Sequence, residues 1–195
     1  VNVTRTVAVT INNVNPVVNA GQDGTVAEGT PYTFAGNATD VPADTLTYCW
    51  TFGDGSNEVC QRNPTHTYTD NAVYTVTLTV TDDDGDAGSD TVAITVTNVN
   101  PVANAGENLT GFEGSALQFT GAGTDAGADT LTYCWDFGDD SDEVCQQSPQ
   151  HTYAQQGVYN VTLTVTDDDG GSGTDTLRVD IANVAPTVNA GNDRT

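Results

Sequence analysis

Lysine is absent from this 195-residue chain, and four arginines, Arg5, Arg62, Arg178 and Arg194, carry all of its fixed positive charge. Without lysine, the isopeptide crosslinks that lock some pilin-like sandwiches are excluded. Against those four stand 27 acidic side chains, for a net charge of -23. A surface of that sign repels phosphate backbones and anionic headgroups, so neither nucleic acid nor a membrane surface is expected as a partner. There is no run of about 18 apolar residues, so no direct membrane insertion is expected in this window, and no signal peptide is visible. Apolar residues nowhere recur at the helical period of about 3.6 over a useful length, which removes helices from the expected fold. No serine or cysteine stands in a Gly-x-Ser-x-Gly or comparable nucleophile setting, and the chain is not expected to be an enzyme.

What is present is acid and repetition. The acids are 22 aspartates and only 5 glutamates, and aspartate is the residue of turns and calcium loops more than of helices. Cations are therefore the natural partners. High net charge is also the mark of disorder, but here the 36% hydrophobic residues fall into alternating segments,. A lysine-poor acidic surface fits adaptation to high salt as well, a reading that the scarcity of glutamate weighs against.

Residues 15–99 align without a gap to residues 100–184, with 50 identities in 85 positions. Asn15-Pro16-Val17 returns as Asn100-Pro101-Val102, and Thr47-Tyr48-Cys49-Trp50 as Thr132-Tyr133-Cys134-Trp135. The unit of structure is thus an 85-residue module used twice,. Residues 1–14 match a module's last strand, with Val7, Val9 and Ile11 as its inward set, and residues 185–195 match a module's start. A longer array of modules is expected, or a fibre in which that first strand completes a module of an identical neighbouring chain. The linker Val96-Thr97-Asn98-Val99-Asn100-Pro101-Val102 has no Gly/Ser tract, so a restricted joint repeated at each boundary is expected.

Within a module the strand signal is alternation. Tyr74, Val76, Leu78 and Val80 point one way and the intervening threonines the other; Asp83-Asp84-Gly85 turns the chain; Val92, Ile94 and Val96 run back,. Leu46, Tyr48, Trp50 and Phe52 alternate in the same way before Gly53-Asp54-Gly55 makes another turn. Adding segments near Val17, Val26, Tyr32 and Thr65 gives about seven strands, which suits an all-β two-sheet sandwich with a single core,. The four cysteines fall as one pair per module, Cys49 with Cys60 and Cys134 with Cys145. Their repetition argues for intramodular disulfides and an oxidising, extracellular compartment, since the spacing is a poor fit to thiolate metal sites. If Trp50 is buried, its neighbour Cys49 faces outward, so the bridge staples the outer face of one strand to the segment after the turn.

The segments Trp50-Thr51-Phe52-Gly53-Asp54-Gly55-Ser56, Asn63-Pro64-Thr65-His66-Thr67-Tyr68 and Val73-Tyr74-Thr75-Val76-Thr77-Leu78-Thr79-Val80-Thr81-Asp82 resemble the polycystic kidney disease (PKD) domain pattern. The second module repeats it with Asp140 in place of the last glycine of the turn. The resemblance implies tandem immunoglobulin-like sandwiches of the kind found in archaeal and bacterial surface or secreted proteins. It also implies that His66 and His151 belong to the packing scaffold. Some PKD modules of bacterial collagenases hold calcium between an Asn at the module entrance and Asp residues in the loop before the Trp strand. The positions similar to these are Asn13 with Asp40 and Asn98 with Asp125; the second loop Asp falls on Pro42 and Gly127, and Asp44 and Asp129 are the substitutes two residues on. A cation there would stiffen the joint between modules. The run Asp82-Asp83-Asp84-Gly85-Asp86 reads as a solvated turn, because Ala87 and Ala93 stand where an EF-hand needs Gly and Glu,.

Glycosylation sequons fall at Asn2, Asn37, Asn108 and Asn160,. The function expected from all this is a non-enzymatic stalk or filament on a cell surface, engaged in neighbour contacts and adhesion. The alternative is an accessory binding module of a secreted protease or polysaccharide hydrolase.

Overall fold

Alternating strands need a second layer to bury their apolar face, and each half of the chain builds one from its own residues. The computed structural model describes residues 4–41 and 44–188, and the chain divides into two units, residues 1–97 and 98–195. No helix occurs among the described residues. The first unit carries β1 (Val17–Asn19), β2 (Gly24–Ala27), β3 (Pro31–Thr33), β4 (Asn37–Thr39), β5 (Thr47–Thr51), β6 (Thr65–Thr67), β7 (Ala72–Thr81) and β8 (Ala87–Thr97). Its main sheet has the order β2-β8-β7-β5, with β2 parallel to β8 and the other pairs antiparallel. The short antiparallel pairs β1-β4 and β3-β6 lie across it: Val18, Tyr32 and Ala38 from these ribbons pack on the core that the main sheet presents.

The second unit repeats the plan with β9 (Val102–Asn104), β10 (Leu109–Phe112), β11 (Ala116–Gln118), β12 (Ala122–Thr124), β13 (Thr132–Asp136), β14 (Gln150–Thr152), β15 (Gly157–Thr166) and β16 (Ser172–Ala182). Each unit thus has eight described strands where the sequence pattern shows about seven. The additional ones, β4 and β12, are three residues long and read Asn-Ala-Thr and Ala-Gly-Thr, too short and too polar to display alternation.

The cores follow the expected register. Trp50, Val76, Leu78, Val80 and Ile94 are fully buried, as are Trp135, Val161, Leu163, Val165 and Val179. Phe34 lies with its ring 5.2 Å from Trp50 and 5.3 Å from Phe52. Space around the Trp is rationed by a glycine: a Cβ on Gly36 would come 2.8 Å from the Trp50 ring, and one on Gly121 3.0 Å from Trp135. Residues 4–15, by contrast, form no strand, and Val7, Val9 and Ile11 are exposed. Their alternation is a strand pattern, but a strand forms only against a hydrogen-bonding partner, and none of the described strands pairs with them,. The expected module start overlaps residues 189–195, which lie outside the described residues.

Disulfides join Cys49 to Cys60 and Cys134 to Cys145. Trp50 and Val59 exchange both backbone hydrogen bonds, at 2.9 and 3.0 Å, which places Cys49 opposite Cys60 on the outer side of β5 with Cα atoms 4.0 Å apart. Replacing both cysteines of one pair by serine is expected to lower that module's unfolding free energy by about 3 kcal/mol, measured by urea denaturation.

Turn geometry shows what the replacement of the last turn glycine by Asp140 means in the second module. Gly55 has φ 80°, and Asp140, its counterpart, is the one non-glycine residue with positive φ among those described, at 62°. Aspartate tolerates this region better than most residues but still carries a cost. Asp140→Gly is therefore expected to stabilise the second module by about 1 kcal/mol, read as an upward shift of its denaturation midpoint.

Candidate cation site

The pleat that buries Val76, Leu78 and Val80 continues one step past β7, so Asp82 points to the same side and is only 6% exposed. In the second module Asp167 repeats this at 5%. Both belong to the run that reads as a solvated turn in the sequence, and for this first aspartate the structure corrects that reading; Asp83 and Asp84 are exposed. Two backbone features fold the hairpin around Asp82: its Oδ1 accepts from Asp86 N at 2.9 Å, and its own N–H donates to the Asp86 carbonyl at 3.0 Å.

Facing it is the loop between β4 and β5. Asp40 and Asp44 offer carboxylate oxygens that lie with one from Asp82 all within 4.8 Å of one another, and Asp125, Asp129 and Asp167 form the same group in the second module. Pro42, which stands where the second loop aspartate of the similar collagenase modules would be, lies outside the described residues. The loop is tied to the hairpin by Thr45 N donating to Asp83 Oδ1 at 2.9 Å, and by Thr130 N to Asp168 Oδ1 at 2.8 Å. The entrance asparagine completes each group: Asn13 Nδ2 donates to Asp82 Oδ2 at 2.8 Å, and Asn98 Nδ2 to Asp167 Oδ2 at 3.0 Å. The structure thus brings together Asn13, Asp40 and Asp44, and likewise Asn98, Asp125 and Asp129, around an aspartate that sequence reasoning assigned elsewhere.

The electrostatics are those of crowded like charges. Burial, then the neighbouring Asp40, Asp83, Asp84 and Asp82, pushes the Asp44 carboxyl above its usual range. Burial acts on Asp82 in the same direction, but hydrogen bonds from Asn13 and from nearby backbone N–H groups outweigh it and hold that carboxyl low. The Asn98 hydrogen bond leads the same balance at Asp167. Oδ2 of Asp40, Asp44 and Asp125, and Oδ1 of Asn98, are buried with no hydrogen-bond partner in the structure. Acceptors left unpaired in this way are unfavourable until something supplies the missing partner. A concentration of hard oxygen atoms with spare lone pairs is the donor set a divalent alkaline-earth cation requires, and the residues present fit one.

The other sequence candidates are placed as follows. His66 Nε2 lies 2.6 Å from Asp54 Oδ2 with its ring stacked 4.0 Å from Phe52, and His151 repeats this with Asp139 at 2.8 Å and Phe137 at 3.9 Å. Both are bonded imidazoles packed on an aromatic. Asn160 is exposed on β15; Asn37 is exposed and accepts from Arg62 Nη2 at 3.1 Å; Asn108 accepts from Arg178 N at 2.8 Å. Asn2 lies outside the described residues.

Each half is an immunoglobulin-like β-sandwich with an acidic pocket where its longest hairpin turns. The family model described as PKD domain matches residues 13–96 and 98–181, and the chain belongs to that family as two tandem, non-catalytic modules. It is similar to the pre-pro-metalloprotease PrtV of Vibrio cholerae, 33% identical over 106 residues, 54% of this chain and 11% of that protein. It is also similar to a microbial collagenase of Vibrio alginolyticus, 36% identical over 88 residues, 45% of this chain and 11% of that protein. The chain therefore spans about a tenth of the length of these curated relatives. Among solved structures, the PKD1 domain of Vibrio anguillarum Epp is 31% identical, with 44% of this chain and all of that chain covered and a TM-score of 0.36.

The His–Asp pairs make acid sensitivity predictable. At Asp54 and Asp139 burial favours the protonated form, but hydrogen bonds from Ser56 and His66, and from Ser141 and His151, prevail and hold both carboxyls below the usual range. A depressed folded-state pKa contributes stability above the unfolded value of about 3.9 and loses it as pH falls through the folded value. The denaturation midpoint is expected to drop steeply below about pH 4. In the double variant Asp54→Asn, Asp139→Asn that acid limb is expected to be flatter.

Proposed function

We propose that the chain is an accessory segment of an extracellular protein and that each module holds one calcium ion. The observation that carries this is the set of buried, unpartnered oxygens on Asp40, Asp44, Asp125 and Asn98, in two pockets that share three aspartates and an entrance asparagine. Asp40, Asp44, Asp82 and Asn13 would hold the ion in the first module, and Asp125, Asp129, Asp167 and Asn98 in the second. Calcium would supply a divalent charge that offsets the mutual repulsion of the three carboxylates. The protein's own part is to converge three separate segments on one point: the module entrance, the loop before β5 and the β7–β8 hairpin. With these segments joined, the chain cannot leave the module at its entrance without breaking the pocket.

The extracellular setting is supported by one disulfide per module, which persists in oxidising compartments,. A role beside a protease is supported by the relatives, a pre-pro-metalloprotease and collagenases. A second reading, a stalk or filament of many such modules on a cell surface, is favoured by the 50 identities in 85 positions between neighbours. The two readings part on the parent chain: a peptidase domain on the same polypeptide supports the first, and further PKD modules alone support the second.

Calorimetric titration of the chain with calcium chloride is expected to show two binding events. At a hundredfold excess over the dissociation constant, each module is expected to gain about 2.7 kcal/mol of stability. Asp40→Asn and Asp125→Asn should each remove one event, and a chelator should reverse the gain in melting temperature. Absence of heat, with a melting temperature indifferent to calcium and chelator, would overturn the reading.

A further inference from the structure

In each module the entering chain runs beside the departing one in a constant register. Ala20 N donates to Asp90 Oδ2 at 2.9 Å and Ala93 N donates to Asp23 Oδ1 at 2.8 Å, each pair 70 positions apart in sequence. β2 continues that register, with Gly24 opposite Ile94 and Ala27 opposite Thr97. Residues 20–23 belong to no strand, so one carboxylate from each side supplies the rungs that a backbone ladder lacks there. The second module repeats the arrangement: Ala105 N donates to Asp175 Oδ2 at 2.8 Å, Arg178 N donates to Asn108 Oδ1 at 2.8 Å, and β10 follows beside β16. Upstream in the first module, Asn15 Nδ2 donates to the Ala87 carbonyl at 3.0 Å and Asn13 Nδ2 to Asp82 at 2.8 Å. One seam therefore reaches from the β7–β8 hairpin, where the chain enters, to Thr97, where it leaves.

Direction decides what such a seam resists. Its two sides run parallel, the entering chain arrives at one end and the departing chain leaves from the other. Pulling on both slides the sides past each other and loads every rung at once. Opening the same seam from one end would load the rungs singly. Thr97 closes the first seam, and Asn98, the next residue in sequence, opens the second through its 3.0 Å bond to Asp167. Force is handed on across one peptide bond. β5, with its disulfide, is at the opposite edge of the main sheet from β2 and outside this line.

We propose that the chain is a tether that carries tension, each module resisting an end-to-end pull through its parallel seam, with Asp23, Asp90, Asn108 and Asp175 as the side-chain rungs. These bonds exist without a cation, so the tether role is independent of the calcium reading.

Single-molecule force spectroscopy on the whole chain, held by its two ends, tests this with the second module as an internal reference. Two unfolding events are expected. In the double variant Asp23→Ala, Asp90→Ala one event is expected to move to lower force while the other stays, its unfolding rate at a given force rising about tenfold for each bond removed. Either substitution alone is expected to shift the same event by less. Asp23→Asn, which supplies the kind of amide oxygen that Asn108 already uses, is expected to keep the original force. Val59→Ala, beside β5, is the control: it is expected to lower the urea midpoint of its module and leave the unfolding force in place. Unchanged forces in the single and double alanine variants, or a fall with Val59→Ala as large as theirs, would overturn the proposal.

Discussion

In each module the pleat of one long strand sets both the core and the pocket. Along β7 the side chains of Tyr74, Val76, Leu78 and Val80 fill the space between the layers, and the next residue on that face is Asp82. Its position is a consequence of register: a slip of one residue would send the whole apolar set to solvent along with it. The carboxylate is thus held by roughly the same free energy that buries Leu78. The pocket borrows part of its rigidity from the hydrophobic layer and the rest from the bonds of Asn13, Thr45 and Asp86.

The two modules form a natural substitution series on one scaffold. Arg62 donates to the Gly36 carbonyl at 3.2 Å and lies over the Tyr48 ring at 5.5 Å; its counterpart Gln147 keeps the first contact, to Gly121, also at 3.2 Å. Gly36 and Gly121 are retained, because the ring of the buried Trp leaves no room for a methyl group. Surface positions such as Asn71 and Gln156 drift. Contacts to the Trp therefore constrain the sequence more than contacts to solvent do.

Much of this was readable beforehand, for reasons that can be named. Alternation identified β5, β7 and β8 because one face of the main sheet is wet and the other dry. The outward Cys49 followed from the inward Trp50. Asp40, Asp44 and Asn13 were reachable through resemblance to calcium-holding modules. Asp82 was missed because four acids in five positions look like solvated turn chemistry, although extending the inward register of β7 by one step would have singled it out. β4 escaped notice because one alanine between two polar residues is too short a stretch to carry a pattern. Val7, Val9 and Ile11 carry the pattern in full yet form no strand here, since alternation is local information and pairing is not.

The disulfides also bear on how tandem copies avoid confusion. Neighbouring modules this alike offer each cysteine an alternative partner with the same surroundings, and exchange of equivalent segments is a known hazard of repeats. Each true partner is only 11 residues away along the chain, whereas any cysteine of the other module is several times more distant. Loop-closure entropy makes the near encounter more frequent by roughly tenfold or more. Short separation thus acts as an address, sorting the thiols of each copy before its sandwich has closed.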